Sequence, residues 1–361
     1  MRFFFEVQPN RNLTLKTSGF EEKVNSTIFN YLAVAFPLGK KAAFTIGLQP
    51  LTTVGYSFVN REVNFEGTEV ETTRFLGSGG INKFYGAFGI QLTKDLSLGA
   101  QIESNFGNIR KQINSQQPNE LSTVNTEDLD FRAVAFTIGT QYSKKIKKDL
   151  LLTAGASSKL GYDLNVSGVD VILSQATGNI VRDEALNKTV SGKYELPIKS
   201  TFGVGIGKFQ KWYVGAEYEF QDAIKSSGNI NANAIDENAT NNGIYKFGDL
   251  NRISLGGFII PKISSITNYW KRVAYRAGIR MEKTGLLIDQ SQTNRNFTSI
   301  DDFGMSFGLG LPLKGLSTLN LGFEYGKKGT TDNNLIEENY FNFRIGLSLS
   351  DKNWFVKRKI D

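Results

Sequence analysis
The sequence predicts an all-β fold: a transmembrane antiparallel β-barrel of about fourteen strands, with short periplasmic turns and long extracellular loops. Three observations carry that prediction. The first is strict alternation. Met305, Phe307, Leu309 and Leu311 alternate with Gly304, Ser306, Gly308 and Gly310, and after Pro312-Leu313-Lys314-Gly315 the pattern resumes with Leu319, Leu321, Phe323 and Tyr325. It returns once more in Phe341, Phe343, Ile345, Leu347 and Leu349. Successive side chains on a strand point to opposite faces, so each segment has one aromatic-rich apolar face and one glycine- and charge-bearing face. The second observation is length: these runs reach about ten residues, enough for a tilted strand to cross a bilayer and longer than a typical sandwich strand. The third is that short turns and long loops alternate along the chain, which segregates them to opposite ends of a barrel.

The elements follow in order. The first strand covers Arg2–Thr17, its odd positions Phe3, Phe5, Val7, Leu13 and Leu15 on one face; the second runs Val24–Phe36. Gly39-Lys40-Lys41 turns the chain into a third strand, in which Phe44, Ile46 and Leu48 share a parity that continues past Pro50 through Val54, Tyr56 and Phe58. A polar loop extends to Gly80. Phe84, Phe88, Ile90 and Leu92 mark the fourth strand, Leu98, Ala100 and Ile102 the fifth, and Val134, Phe136 and Ile138 the sixth, after a polar loop Asn114–Asp128. The seventh runs from Leu150 to Leu164. A long loop, Asn165–Thr189, leads to the eighth (Ile198, Phe202, Val204, Ile206), and Lys208–Lys211 turns into the ninth (Trp212, Val214, Ala216, Tyr218, Phe220). Lys225–Gly248 carries no packing signature. The tenth strand is Ile253–Ile260, the eleventh holds Val273, Tyr275, Ala277, Ile279 and Met281, and the last three are those of the opening stretch.

Composition agrees. Mean hydropathy is -0.25 and no apolar run is long enough for a membrane helix, yet alternation averages away the hydropathy of a barrel. With neither His nor Cys, the chain lacks the commonest general base, thiolate nucleophiles and most metal ligands; no enzymatic activity, metal or cofactor is expected. The net charge of +7 comes from lysines scattered over short turns and the tail, so no nucleic-acid track is expected. Met1-Arg2-Phe3-Phe4-Phe5 is interrupted by Glu6 and Gln8 and reads as a strand, not a secretory signal. The expectation is a single barrel domain over residues 1–361 whose signal and any preceding segment lie outside this sequence.

Three groups of residues are candidates for function. Glu103, Glu217, Glu219, Arg276, Arg280, Glu282, Glu324 and Arg344 lie opposite the apolar face and are expected in the lumen, since hydrocarbon would penalise each by several kcal/mol. They either line a solute path or form a ladder of paired charges filling the barrel. Pro50 removes a ladder donor in mid-strand, with Thr52, Thr53 and Gly55 able to accommodate the disturbance; it reads as a local opening of the wall or as a bulge. Val169, Val171, Ile172, Leu173, Ile180 and Val181 are apolar for a loop and either catch a hydrophobic ligand or pack on the rim.

The strand count, the third strand broken by Gln49-Pro50-Leu51-Thr52-Thr53-Val54-Gly55-Tyr56, and the closing Asn353-Trp354-Phe355-Val356-Lys357-Arg358-Lys359-Ile360-Asp361 resemble the FadL-type hydrophobic-compound transporters, in particular their Bacteroidetes relatives. The resemblance implies a bacterial outer-membrane location, surrounding outer-membrane lipid, and passive uptake of a hydrophobic, fatty-acid-like small molecule. It also implies an inward kink at the third strand that opens a lateral gap. Members carry an N-terminal hatch that plugs the lumen; this sequence has no counterpart before its first strand. The alternative is a structural or partner-binding barrel, such as the FadL-like subunits serving the type IX secretion machinery.

Overall fold
The computed structural model describes residues 2–17, 21–147, 149–176, 179–230, 245–289, 291, 296–313 and 317–350. These residues form one antiparallel sheet of eighteen hydrogen-bonded strands. In order they are β1 (Arg2–Lys16), β2 (Glu21–Leu38), β3 (Ala42–Val63), β4 (Glu69–Gln91), β5 (Leu96–Gln116), β6 (Ser122–Lys147), β7 (Leu150–Lys159), β8 (Tyr162–Ala176) and β9 (Asn179–Leu196). The rest are β10 (Lys199–Lys208), β11 (Trp212–Gln221), β12 (Lys225–Gly228), β13 (Tyr245–Phe247), β14 (Leu250–Ile259), β15 (Ala274–Ile288), β16 (Thr298–Pro312), β17 (Thr318–Gly329) and β18 (Glu337–Ser350). β1 pairs with both β2 and β18, which closes the barrel.

Four of the eighteen are continuations across a kink. β6 pairs first with β7 and then with β8, β10 and β9 follow in the same way, β11 and β12 pair with β10 and β9, and β13 and β14 both pair with β15. The wall therefore has fourteen strands. Leu160-Gly161 and Pro197-Ile198 sit at two of these kinks, where a glycine and a residue lacking a backbone donor interrupt the ladder at least cost.

The apolar parity faces outward. Phe88, Phe202, Val214, Tyr218 and Phe323 are exposed, and Leu321, Phe343 and Ile345 are half-exposed on the same face. None is packed in an interior, as a lipid-facing belt requires. The opposite face turns inward. On β5 and β6 this arrangement inverts partway up. The outward series Ile102, Ser104, Phe106 on β5 gives way to Asn108 and Arg110, while the inward series passes from Glu103 and Asn105 to Ile109 and Ile113. On β6, Val134, Phe136 and Ile138 face out below, Asp128 and Asp130 above; inward, Phe131 and Leu129 follow Ala135 and Ala133. The register is unbroken, so the side chains alone mark where the wall leaves hydrocarbon for water. Outside, Asn108 donates to Asp128 at 2.5 Å and Arg110 reaches it at 2.8 Å; together they hold its carboxyl below the usual carboxylate range. Inside, Ile81, Leu129, Phe131, Val166, Val190 and Ile230 form a packed apolar cluster.

Several expectations need correction. Asn165–Thr189 is strand over most of its length, because β8 and β9 carry the wall outward as a paired hairpin. Val169, Val171, Ile172 and Leu173 therefore lie on β8, not in a loop, with Ile172 on the face opposite the other three. The side chains of Ile180 and Val181 lie outside the described residues, as do Asn353–Asp361. Lys225–Gly248 contributes two short strands, β12 and β13, with 231–244 outside the described residues. In β3 the parity does not continue past Pro50. Leu51 has no partner in the register to β4, and this one-residue bulge rotates Val54, Tyr56 and Phe58 to the lumen side.

Candidate functional site
A layer of ion pairs crosses the lumen face about midway up the wall. Glu103 on β5 is fully buried, accepts from Lys159 of β7 at 2.6 Å and lies 4.0 Å from Lys83 of β4. Glu219 on β11 lies 2.8 Å from Lys199 of β10 and 3.1 Å from Arg252 of β14, and Thr201 donates to it at 3.2 Å. Glu324 on β17 is paired with Arg344 of β18 and lies 3.5 Å from Arg280 of β15. Arg280 also contacts Asp302 at 3.1 Å, and the Tyr340 hydroxyl donates to that carboxylate at 2.7 Å. Asn342, Gln8 and Arg344 link this group onward to β1. Each of these three glutamates is thus bracketed by two cations from strands on its two sides, which offsets the cost of placing a carboxylate away from bulk water.

Beneath this layer lies a cavity of about 1320 Å³ whose walls are largely glycine, alanine and serine, among them Gly99, Gly139, Ser157, Gly203, Gly215 and Gly278. Several of these pair in register, Gly89 with Gly99, Gly99 with Gly139, Gly215 with Gly256 and Gly256 with Gly278, so no side chain fills the lower lumen there.

The polar layer is interrupted at β2 and β3. There Ala33 and Gly47 face each other in register and both are buried; a Cβ on Gly47 would collide with the Tyr85 ring. At the same place the wall comes apart. The β2–β3 ladder consists of seven pairs, Leu38↔Ala42 to Leu32↔Leu48, and ends there. Above it, among the described residues, Glu21–Tyr31 pairs only with β1 and Gln49–Val63 only with β4. Seven pairs at a rise of ~3.3 Å on a strand tilted ~40° lift the wall about 18 Å, short of the ~25 Å apolar band of such barrels. The strands therefore part within the thickness of the bilayer. Pro50 and the Leu51 bulge stand at that level. On β2 the register shifts beside Asn30, whose side chain donates to Glu6 at 2.9 Å.

The eight charged residues singled out from the sequence all lie on the lumen face. Glu217 and Glu219 meet at Arg252, and Glu324, Arg280 and Arg344 meet one another; Glu103 stands apart with its lysines. Arg276 donates to Asn320 at 2.9 Å, and Glu282 is in register with Asp302. Lys83, Lys159, Lys199, Arg252 and Asp302 complete the layer and share the inward parity of their strands. Pro50, Thr52, Thr53 and Gly55 border the seam. Thr52 and Thr53 flank the close approach of Gly80, where a Cβ would strike the Thr52 carbonyl.

Among solved structures the chain is similar to a FadL homologue of Pseudomonas aeruginosa, with a TM-score of 0.59 at 11% identity over 96% of this chain and 88% of that one. It is similar to a TodX monoaromatic hydrocarbon channel mutant, deltaS2S3, with a TM-score of 0.57 at 14% identity over 96% and 89% of the two chains. It is also similar to the Ralstonia pickettii toluene transporter TbuX, with a TM-score of 0.54 at 10% identity over 96% and 88%. At these identities the likeness establishes the fold, a FadL-like barrel of the outer-membrane type. No curated protein matches the sequence. The BamG family model matches residues 4–361, and the chain belongs to the BamG family.

Proposed function
We propose that this barrel is a passive channel for hydrophobic small molecules and that it releases them sideways, into the membrane, through the seam between β2 and β3. The observation that carries the reading is the β2–β3 ladder, which ends at Leu32↔Leu48 inside the apolar band while β3 goes on to Val63. Unsatisfied backbone groups facing hydrocarbon cost several kcal/mol each, so a ladder broken at this depth needs cover or use. The lumen chemistry supports a sideways path. An apolar molecule descending the inner wall meets a layer of ion pairs that offers it nothing, and beside the seam it meets Ala33 and Gly47 in place of charged side chains.

Pro50→Val restores a backbone donor and a strand-forming residue at the parting point. Uptake of labelled toluene by cells carrying this variant should fall severalfold while heat-modifiable gel mobility remains that of a folded barrel. The same free edges, Glu21–Tyr31 and Gln49–Val63, favour a second reading in which a partner protein covers them. Unchanged uptake in folded Pro50→Val would favour that reading over the first.

A further inference from the structure
We infer that the outer wall over β11, β14 and β15, at its periplasmic end, binds an anionic phospholipid of the inner leaflet, with an acyl chain in a hollow of the wall and the phosphate among Lys211, Lys262, Lys271 and Arg272. The site lies on the face of the sheet opposite the lumen and does not depend on lateral release.

The hollow follows from register and residue size. On the outward face Val214 of β11, Gly257 of β14, Ala277 of β15 and Phe307 of β16 stand side by side. The next row toward the periplasm is Trp212, Ile259, Tyr275 and Leu309. Two adjacent small residues are thus framed by large ones, and the wall is hollowed there by about 750 Å³. Two rows higher the same strands present Tyr218, Ile253, Met281 and Phe303, all large. The hollow faces outward, for Val214, Ile259 and Phe307 are all exposed. A flexible acyl chain gains contact on both flanks of such a hollow that a flat belt does not offer.

The cations gather at the end of the hollow where the chain leaves hydrocarbon. The connection 260–273 is tied to the turn 209–211, since the Ile260 N–H donates to the Lys211 carbonyl at 2.6 Å. Within the connection the Lys262 N–H donates to the Lys271 carbonyl at 2.7 Å. Lys211 precedes Trp212, and Arg272 stands three residues before Tyr275, so the charges adjoin the lowest row of the hollow. Among the described residues none of the four lies within ion-pair distance of a carboxylate, whereas Lys83, Lys159, Lys199 and Arg252 in the lumen each have one. The Arg272 guanidinium carbon lies 5.1 Å from the centre of the Tyr269 ring, and its Nε, shielded from water, has no acceptor among the described residues. Phe209, Ile266 and Trp270 are exposed beside these charges. Apolar side chains next to cations at the edge of a hydrocarbon belt suit a lipid interface, where the former enter the acyl region and the latter meet phosphate. An acidic protein partner would answer the cations and leave the lipid-facing hollow above them without an occupant, so the phospholipid fits both features.

The test is native mass spectrometry of the full chain in detergent with equal amounts of phosphatidylglycerol and phosphatidylcholine carrying the same acyl chains. The unaltered protein should retain phosphatidylglycerol about tenfold over phosphatidylcholine. In Lys211→Gln, Lys271→Gln, Arg272→Gln that preference should vanish. In Lys40→Gln, Lys41→Gln, Lys94→Gln, which removes the same charge from other turns, it should persist. Ala277→Leu, which fills the hollow, should lower retention of both lipids severalfold at an unchanged ratio; heat-modifiable gel mobility confirms folding of each variant. Excess inorganic phosphate should leave the lipid adduct in place. Equal retention of the two lipids by the unaltered protein, or equal loss of preference in both triple variants, overturns the site. Displacement by inorganic phosphate, or retention indifferent to Ala277→Leu, overturns a phospholipid as its occupant.

Discussion
Glu103 shows what a single side chain does in this lumen. Its carboxylate is shut away from water and held by Lys159 at 2.6 Å and Lys83 at 4.0 Å. Glu103→Leu leaves two buried ammonium groups without their shared anion, so the barrel should lose about 3 kcal/mol or more in urea unfolding from vesicles. Lys159→Met added to Glu103→Leu should recover part of that loss, because one orphaned charge is then gone. At this scale the sequence was half legible. Parity alone places Glu103, Glu219 and Glu324 inside. Their partners Lys83, Lys159, Lys199 and Arg252 have the same parity but sit on other strands, and only the register brings them to the carboxylates.

At the scale of the element, β3 and its neighbours are fitted together through backbone contact. A Cβ on Gly107 of β5 would strike the Gly80 carbonyl of β4, and one on Gly80 would strike Thr52 of β3; Gly79 has φ +108°. Three glycines thus let three strands nest where the Leu51 bulge deforms the sheet. Gly107→Ala should cost about 2 kcal/mol in the same unfolding measurement. Gly99→Ala, whose Cβ would rest 3.6 Å from the Phe88 carbonyl, should cost well under half of that. The sequence marked this strand through Pro50 but not the flip that follows it, because one extra residue in a continuous β-favouring run leaves no mark of its own. Asn165–Thr189 was misread for a different reason. Asn165, Gly168 and Ser174 resemble loop residues, yet pairing of β8 to both β6 and β9 holds the segment as strand.

At the scale of the whole molecule, the fold was legible from alternation and from where the short turns fall, since both report the bilayer directly. Phe202 and Gly203 make the contrast testable, being adjacent on β10 and facing lipid and cavity. Phe202→Arg should destabilise the folded barrel by about 2–4 kcal/mol and Gly203→Arg by about 1 kcal/mol or less. What alternation could not convey is that the wall parts at β2 and β3, because the pairing of two strands leaves no mark on the alternation within either one. The central claim, release of apolar molecules through that parting, is tested by closing it. The chain has no cysteine, so Tyr31→Cys and Gln49→Cys, the next positions beyond the Leu32↔Leu48 pair, introduce the only two thiols. With these joined by a disulfide-containing bifunctional reagent, and joining verified by a gel shift, uptake of labelled hydrocarbon should fall to the background of barrel-free vesicles and return on reduction. Equal uptake with the seam joined and released would contradict the account.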